Sequence, residues 1–235
     1  MEKEYFQVGS TRYTRKEKLA NWFYYNKLWV LVGAVILWVV GSMLWNVLGI
    51  GRLEPDYRFV YVGSRRLPED CIEALETELA SMADDCNGDG TVTVAVTQCV
   101  TARNEDLENQ IYGYGAEVTL LADITEGESH FFLMDDPESL QLSFQILAHL
   151  DGSIPSDDDY EAMDKVYAWT DCPRLASLDL GTYEDAYLDR KETGECQELL
   201  SGLYIGRRFY YDPAQEKNPE GNEKLWRILT EGAAE

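Results

Sequence analysis

The chain has 235 residues, 43 of them acidic and 20 basic, for a formal net charge of −23 at pH 7. That acidity excludes the nucleic-acid binders, whose affinity rests on neutralising phosphates with Lys and Arg. Hydrophobic residues at 45% and 15 tyrosines exclude a disordered stalk and call for a buried core.

A basic and aromatic tail, residues 1–27, sets Lys3, Arg12, Arg15, Lys16, Lys18 and Lys27 against Glu2, Glu4 and Glu17. Residues 28–51, Leu28 to Gly51, then run without a charge between Lys27 and Arg52. As a helix rising about 1.5 Å per residue this run is about 36 Å long, enough to cross a hydrocarbon core of about 30 Å. Core helices of soluble proteins seldom stay apolar on every face for so long. A cleaved signal peptide has a shorter apolar region and a small-x-small site, and none follows here. The reading is a retained signal anchor that contacts membrane lipid through residues 28–51.

Orientation comes from charge. Basic residues near a span stay in the cytoplasm, so the amino terminus is expected inside. The remainder, with 14 basic and 40 acidic side chains, is expected outside, giving a single-pass protein of the cell membrane. Trp22, Phe23, Tyr24, Tyr25 and Trp29 at one end and Trp45 near the other suit headgroup depth. Arg15 to Lys27 either lies along the inner leaflet or serves only to fix topology.

All five cysteines (Cys71, Cys86, Cys99, Cys172, Cys196) follow the span, on the side where disulfides persist. None forms a C-x-x-C pair, which argues against a zinc ribbon or thioredoxin-like site. The odd number leaves at least one thiol free or bridged to another chain. A domain of this size needs no disulfide for its core, so zero or one bridge is expected.

A linker, residues 52–56, leads into one domain over residues 57–235. Tyr57 to Val62 reads as a strand closed by Gly63-Ser64. Pro68 to Ala83 reads as a helix with Ile72, Leu75, Leu79 and Met82 on one face. Thr91 to Val96 alternates as a strand. A helix from about Glu105 to Ile124, a strand from His130 to Met134 and a helix opened by Pro137 complete three strand–helix repeats. This order predicts an α/β domain with a mainly parallel sheet covered by helices on both faces. Beyond it, Ser153 to Asp159 is an acidic loop, Lys165 to Trp169 a short strand and Leu175 to Tyr187 irregular. Gly202 to Tyr211 is a strand or hairpin arm, and Asn222 begins a last helix.

The sharpest local motif is Asp85-Cys86-Asn87-Gly88-Asp89-Gly90. It resembles the opening of an EF-hand calcium loop, a pattern shared with dockerin-type loops. The resemblance implies Ca²⁺ held by side-chain oxygens of Asp85, Asn87 and Asp89 and the carbonyl of Thr91, with Gly90 at the sharp bend. The twelfth position, a bidentate acid in that pattern, is Val96 here, and a strand follows in place of a helix. Read without the resemblance, the loop is a helix-to-strand turn in which Asn-Gly and Asp-Gly supply unusual backbone angles.

Signals for catalysis are sparse. His130 and His149 are the only histidines, and no nucleophile elbow, H-E-x-x-H helix or phosphate-cradling glycine loop occurs. Asp135-Asp136-Pro137 sits at the carboxyl end of a strand, where ligands gather in parallel sheets, and reads equally as a helix cap.

Glu126 to Asp135, a glycine turn and then a strand ending on an acid, is similar to the first lobe of type 2 periplasmic solute-binding proteins. The strands at Tyr57 and Thr91 fall where that lobe has its first two, and the likeness spans roughly Asp56 to Leu150. A second full lobe does not fit in the remainder. The whole chain also resembles single-pass membrane proteins of Gram-positive bacteria with a D-x-N-G-D-G loop, a likeness that implies no activity. Three readings follow. The first is a non-enzymatic interaction domain with an extracytoplasmic protein partner, with calcium at its first helix-to-strand turn. The second is a one-lobed sensor or presenter of a small ligand, and the third, with least support, is a hydrolase using carboxylates.

Overall fold

The computed structural model describes residues 15–47, 54–101, 107–187 and 190–233, and the chain divides into two compact units at Leu53–Glu54. The tail before Arg15, the span's end at 48–51, the linker's first residues 52–53 and the expected helix start at Glu105 lie outside the described residues.

The first unit is one helix, α1 (Arg15–Val47). Its stretch Leu19–Met43 is long and apolar enough to cross a membrane, with a mean hydropathy of 1.7 and no part buried. The stretch begins before Leu28 because Trp22 to Tyr25 extend the apolar surface and Lys27 is a lone charge. Lys27 Nζ lies 5.6 Å over the Tyr24 ring, and Asn26 and Ser42 donate to the Trp22 and Val39 carbonyls inside the helix.

The second unit runs β1 (Tyr57–Gly63), α2 (Glu69–Met82), β2 (Val94–Val100), α3 (Leu107–Glu126), β3 (Phe131–Met134), α4 (Pro137–Phe144) and β4 (Val166–Ala168). It continues through α5 (Pro173–Ala176), β5 (Thr182–Tyr187), β6 (Arg190–Glu195), α6 (Cys196–Leu200), β7 (Tyr204–Arg207) and α7 (Pro219–Leu229). Five strands form one sheet in the order β2-β1-β3-β7-β4, and β5 and β6 form a separate antiparallel hairpin.

The expectation of a mainly parallel sheet is corrected here, because the sheet is mixed. β2, β1 and β3 pair in parallel, as the strand–helix repeats require. β7 runs against both β3 and β4. The strand–helix repeats that impose parallel pairing end at α4, and β7 is inserted between β3 and β4 in the reverse direction. The segment read as irregular after Leu175 contains β5, whose strongly charged hairpin lacks the apolar alternation that marks a half-buried strand.

Alternation along β1 divides the core in two. Tyr57, Phe59 and Tyr61 meet the buried side chains of α2 (Cys71, Ile72, Leu75, Leu79) and α7 (Leu225, Trp226, Leu229). Val60 and Val62 face Leu120 of α3 and Leu140 of α4 on the opposite side. A disulfide joins Cys71 to Cys196, and among the remaining thiols Cys86 is exposed while Cys99 and Cys172 are buried.

Candidate functional site

The structure places Asp85, Asn87, Asp89 and Thr91 together in one exposed loop between α2 and β2. Asp85 accepts hydrogen bonds from the N–H groups of Gly88 at 2.7 Å and Gly90 at 2.9 Å. Asn87 Oδ1 accepts from the Asp89 N–H and Asp89 Oδ1 from the Thr91 N–H, both at 2.8 Å. Gly88 and Gly90 take φ of 74° and 89°, a region that L side chains resist. The three side chains thus fold onto the loop's own backbone, the turn chemistry Asn and Asp favour. Their remaining lone pairs stay free to accept. Val96 belongs to β2 and is buried, so no carboxylate comes from the twelfth position.

Sequence reading missed the residue that holds this loop. Asp56, just before β1, accepts from the N–H groups of Cys86 and Thr93 at 2.8 Å and of Asn87 at 2.9 Å. Burial pushes its carboxyl up, and these hydrogen bonds outweigh that and hold it below its usual range. The Asp56 carboxylate takes the Thr93 N–H, and β2 begins at Val94 rather than Thr91. Nothing local marks an aspartate ahead of a strand as a clamp on a loop 30 residues later.

His149, Asp159 and Asp164 also bring potential metal ligands within 4.8 Å of one another. A cation already serves them: the fully buried Lys165 donates from Nζ to both carboxylates at 2.9 Å. The cluster is a built ion-pair network.

The larger cavity follows from topology. β1 leads through α2 on one face to β2, and β2 returns through α3 on the other face to β3, on the far side of β1. The connections therefore diverge between β1 and β3, and in open α/β sheets ligands bind outside the carboxyl ends of the strands at such a point. A crevice of about 890 Å³ lies there. Its hydroxyls include Ser64 after β1 and Ser139 and Ser143 of α4, and its apolar walls include Val62, Leu120 and Phe144. Asp135 accepts from the N–H and hydroxyl of Ser64, both at 2.7 Å, and so ties the ends of β1 and β3 together. Asp136 lines the crevice and is the N-cap of α4, accepting from the Ser139 N–H at 3.0 Å. Val118 and Leu121 of α3 border it, 67% and 54% exposed, a large apolar surface for an acidic domain to leave in water.

No protein-family model matches the chain, and no curated protein and no solved structure matches it.

Proposed function

We propose that the chain is a membrane-anchored, extracytoplasmic binding domain without catalytic activity of its own, which takes up a small ligand in the crevice between β1 and β3. The observation that carries this reading is the crevice itself: about 890 Å³ at the point where the strand connections diverge, within the usual size of small-molecule sites. Exposed Val118 and Leu121 suit an apolar ligand body, and the hydroxyls of Ser139 and Ser143 suit polar groups upon it. The Ser64 hydroxyl donates to a carboxylate that already accepts the Ser64 N–H. That arrangement fixes a turn rather than activating an oxygen nucleophile. The anchor and the outer placement are supported by α1, by the basic residues among positions 1–27 and by the Cys71–Cys196 bridge, a bond that persists in oxidising compartments.

The test is a thermal-shift screen of the detergent-solubilised chain against small solutes, repeated on Ser143→Trp, which fills the crevice. A solute that raises the melting temperature of the wild type and not of Ser143→Trp supports the site. A hit whose shift survives in Ser143→Trp, or a screen with no hit, overturns it.

A second reading concerns the Asp85 loop. We infer that it takes Ca²⁺ weakly through Asp85, Asn87, Asp89 and the Thr91 carbonyl, because the clamp by Asp56 preorganises a backbone whose side-chain oxygens keep spare lone pairs.

A further inference from the structure

A second cavity, of about 440 Å³, lies at the opposite end of the strands, where β3 begins and β7 ends. Its buried polar side chains are His130, just ahead of β3, and Arg207 and Arg208 at the end of β7, all less than a tenth exposed. Burying two guanidinium groups in so small a volume demands counter-ions. Arg207 has one, donating to Glu223 at 2.5 Å, and it also donates to the Leu150 carbonyl at 2.8 Å.

Arg208 has none within ion-pair range among the described residues. It donates only to the carbonyls of Ile124 at 2.9 Å and Ser129 at 3.4 Å, and stacks over Tyr210 at 4.7 Å. Beside it, both ring nitrogens of His130 are buried and without a hydrogen-bond partner. Glu216 comes within 3.3 Å of His130 Nδ1 but does not align with it as a hydrogen bond.

The mouth of the cavity has the opposite character. Asp151 there is exposed, and Glu216 reaches inward from it toward His130, half-buried and accepting from Asn222 Nδ2 at 2.9 Å. Gly152 carries φ of 86°, and a Cβ at that position would lie 2.8 Å from the Arg207 guanidinium. Ile154 and Phe209 add apolar wall. Charge sign at two depths selects among ligands. A simple anion reaching the arginines would pass Asp151 and Glu216, and a simple amine attracted by those acids would end against Arg208. A molecule carrying both charges a few ångströms apart satisfies both layers.

We propose that this cavity is a binding site, separate from the crevice between β1 and β3, for a free α-amino acid. Its carboxylate gives Arg208 an ion pair at contact distance, where the chain itself offers only the longer-range charge of Asp123, and accepts from His130. Its ammonium sits between Asp151 and Glu216, and its side chain lies along Ile154, Phe209 and Tyr210.

The test uses the full chain in detergent micelles, with calorimetry against each of the twenty standard L-amino acids. For each hit the matching amine without the carboxylate and the matching acid without the ammonium are measured as well. At least one amino acid is expected to bind, and its decarboxylated amine at least 10-fold more weakly. Arg208→Met is expected to weaken the amino acid at least 10-fold. Because Arg208 also holds two carbonyls, Asp151→Asn serves as the variant that keeps the fold. It should weaken the amino acid several-fold and leave the ammonium-free acid unweakened, while Ser143→Trp should change neither. Failure of all twenty to bind, equal binding of the amine, or an unchanged affinity in Asp151→Asn would overturn the proposal.

Discussion

Cys71 and Cys196 are bonded to each other across a sequence separation of 125, and both are buried. The bridge fastens α2, the first crossover helix, to α6, the short segment that turns the chain into β7. Closing so long a loop restricts the unfolded chain, and removing a native disulfide typically costs about 2–5 kcal/mol. Cys71→Ala/Cys196→Ala should lose that much in urea unfolding. A loss below about 1 kcal/mol would mean that the crossover holds without it.

The three free thiols should differ in reactivity. Burial pushes the Cys99 and Cys172 thiols up to about 11, while Cys86 is exposed and lies 3.0 Å from the Tyr57 hydroxyl. Maleimide should label Cys86 in the native protein and the other two only after denaturation. Native labelling of Cys99 or Cys172 would contradict their place in the core.

Stability should fall with acid before the carboxylates titrate. Burial, with the charges of Arg207 and Arg208, pulls the His130 imidazole down from 6.5 to about 3. The unfolded chain therefore binds this proton from about pH 6.5 and the folded chain only near pH 3. The contribution is fully present above pH 6.5 and drains away below it, at up to about 1.4 kcal/mol per pH unit. Between pH 6.5 and 5 the wild type should lose about 1–2 kcal/mol, and His130→Phe should flatten that slope. An unchanged slope in His130→Phe would assign the loss to other groups.

Calcium at the Asp85 loop should bind with a dissociation constant of about 10⁻⁴–10⁻³ M, since no bidentate acid completes the site. Millimolar calcium should then raise the melting temperature modestly. Asp89→Ala should abolish the rise, while Asp136→Ala should weaken α4 and leave the rise intact. Absence of both thermal shift and calorimetric heat in the wild type would leave the loop a turn alone.

Topology is open to a direct measurement. Protease added to intact cells should remove epitopes placed after Arg52 and spare those placed before Lys27. The reverse pattern would invert the assignment made from charge.

Where a structural element announces itself through period, the chain was readable. Ile72-Leu75-Leu79 carries helical spacing and forms α2, while the short aromatic and β-branched runs expected as strands at Tyr57 to Val62 and His130 to Met134 form β1 and β3. Asp136 likewise caps α4, because Asp-Pro specifies a helix start. Strand direction leaves no such mark, so Gly202 to Tyr211 reads as a strand or hairpin arm without showing that its strand, β7, runs against β3. The crevice was legible only as Asp135-Asp136. Its partner Ser64 lies 71 positions away, and only the strand order places the two side by side. Arg207 and Arg208 lie within the expected strand Gly202 to Tyr211, and nothing local reveals that both are buried beside His130.

One consequence of the sheet order is mechanical. Asp56 directly precedes β1, and β1 lies between two parallel neighbours with seven paired residues toward β2 and four toward β3. Traction on the chain ahead of Glu54 loads those ladders along the strand axis, in shear, so their hydrogen bonds must fail together. A tether entering at an edge strand such as β4 would be peeled away one bond at a time. The clamp of Asp56 on Cys86, Asn87 and Thr93 takes the strain first. The domain is thereby fitted to hold its shape while pulled from the end that follows α1.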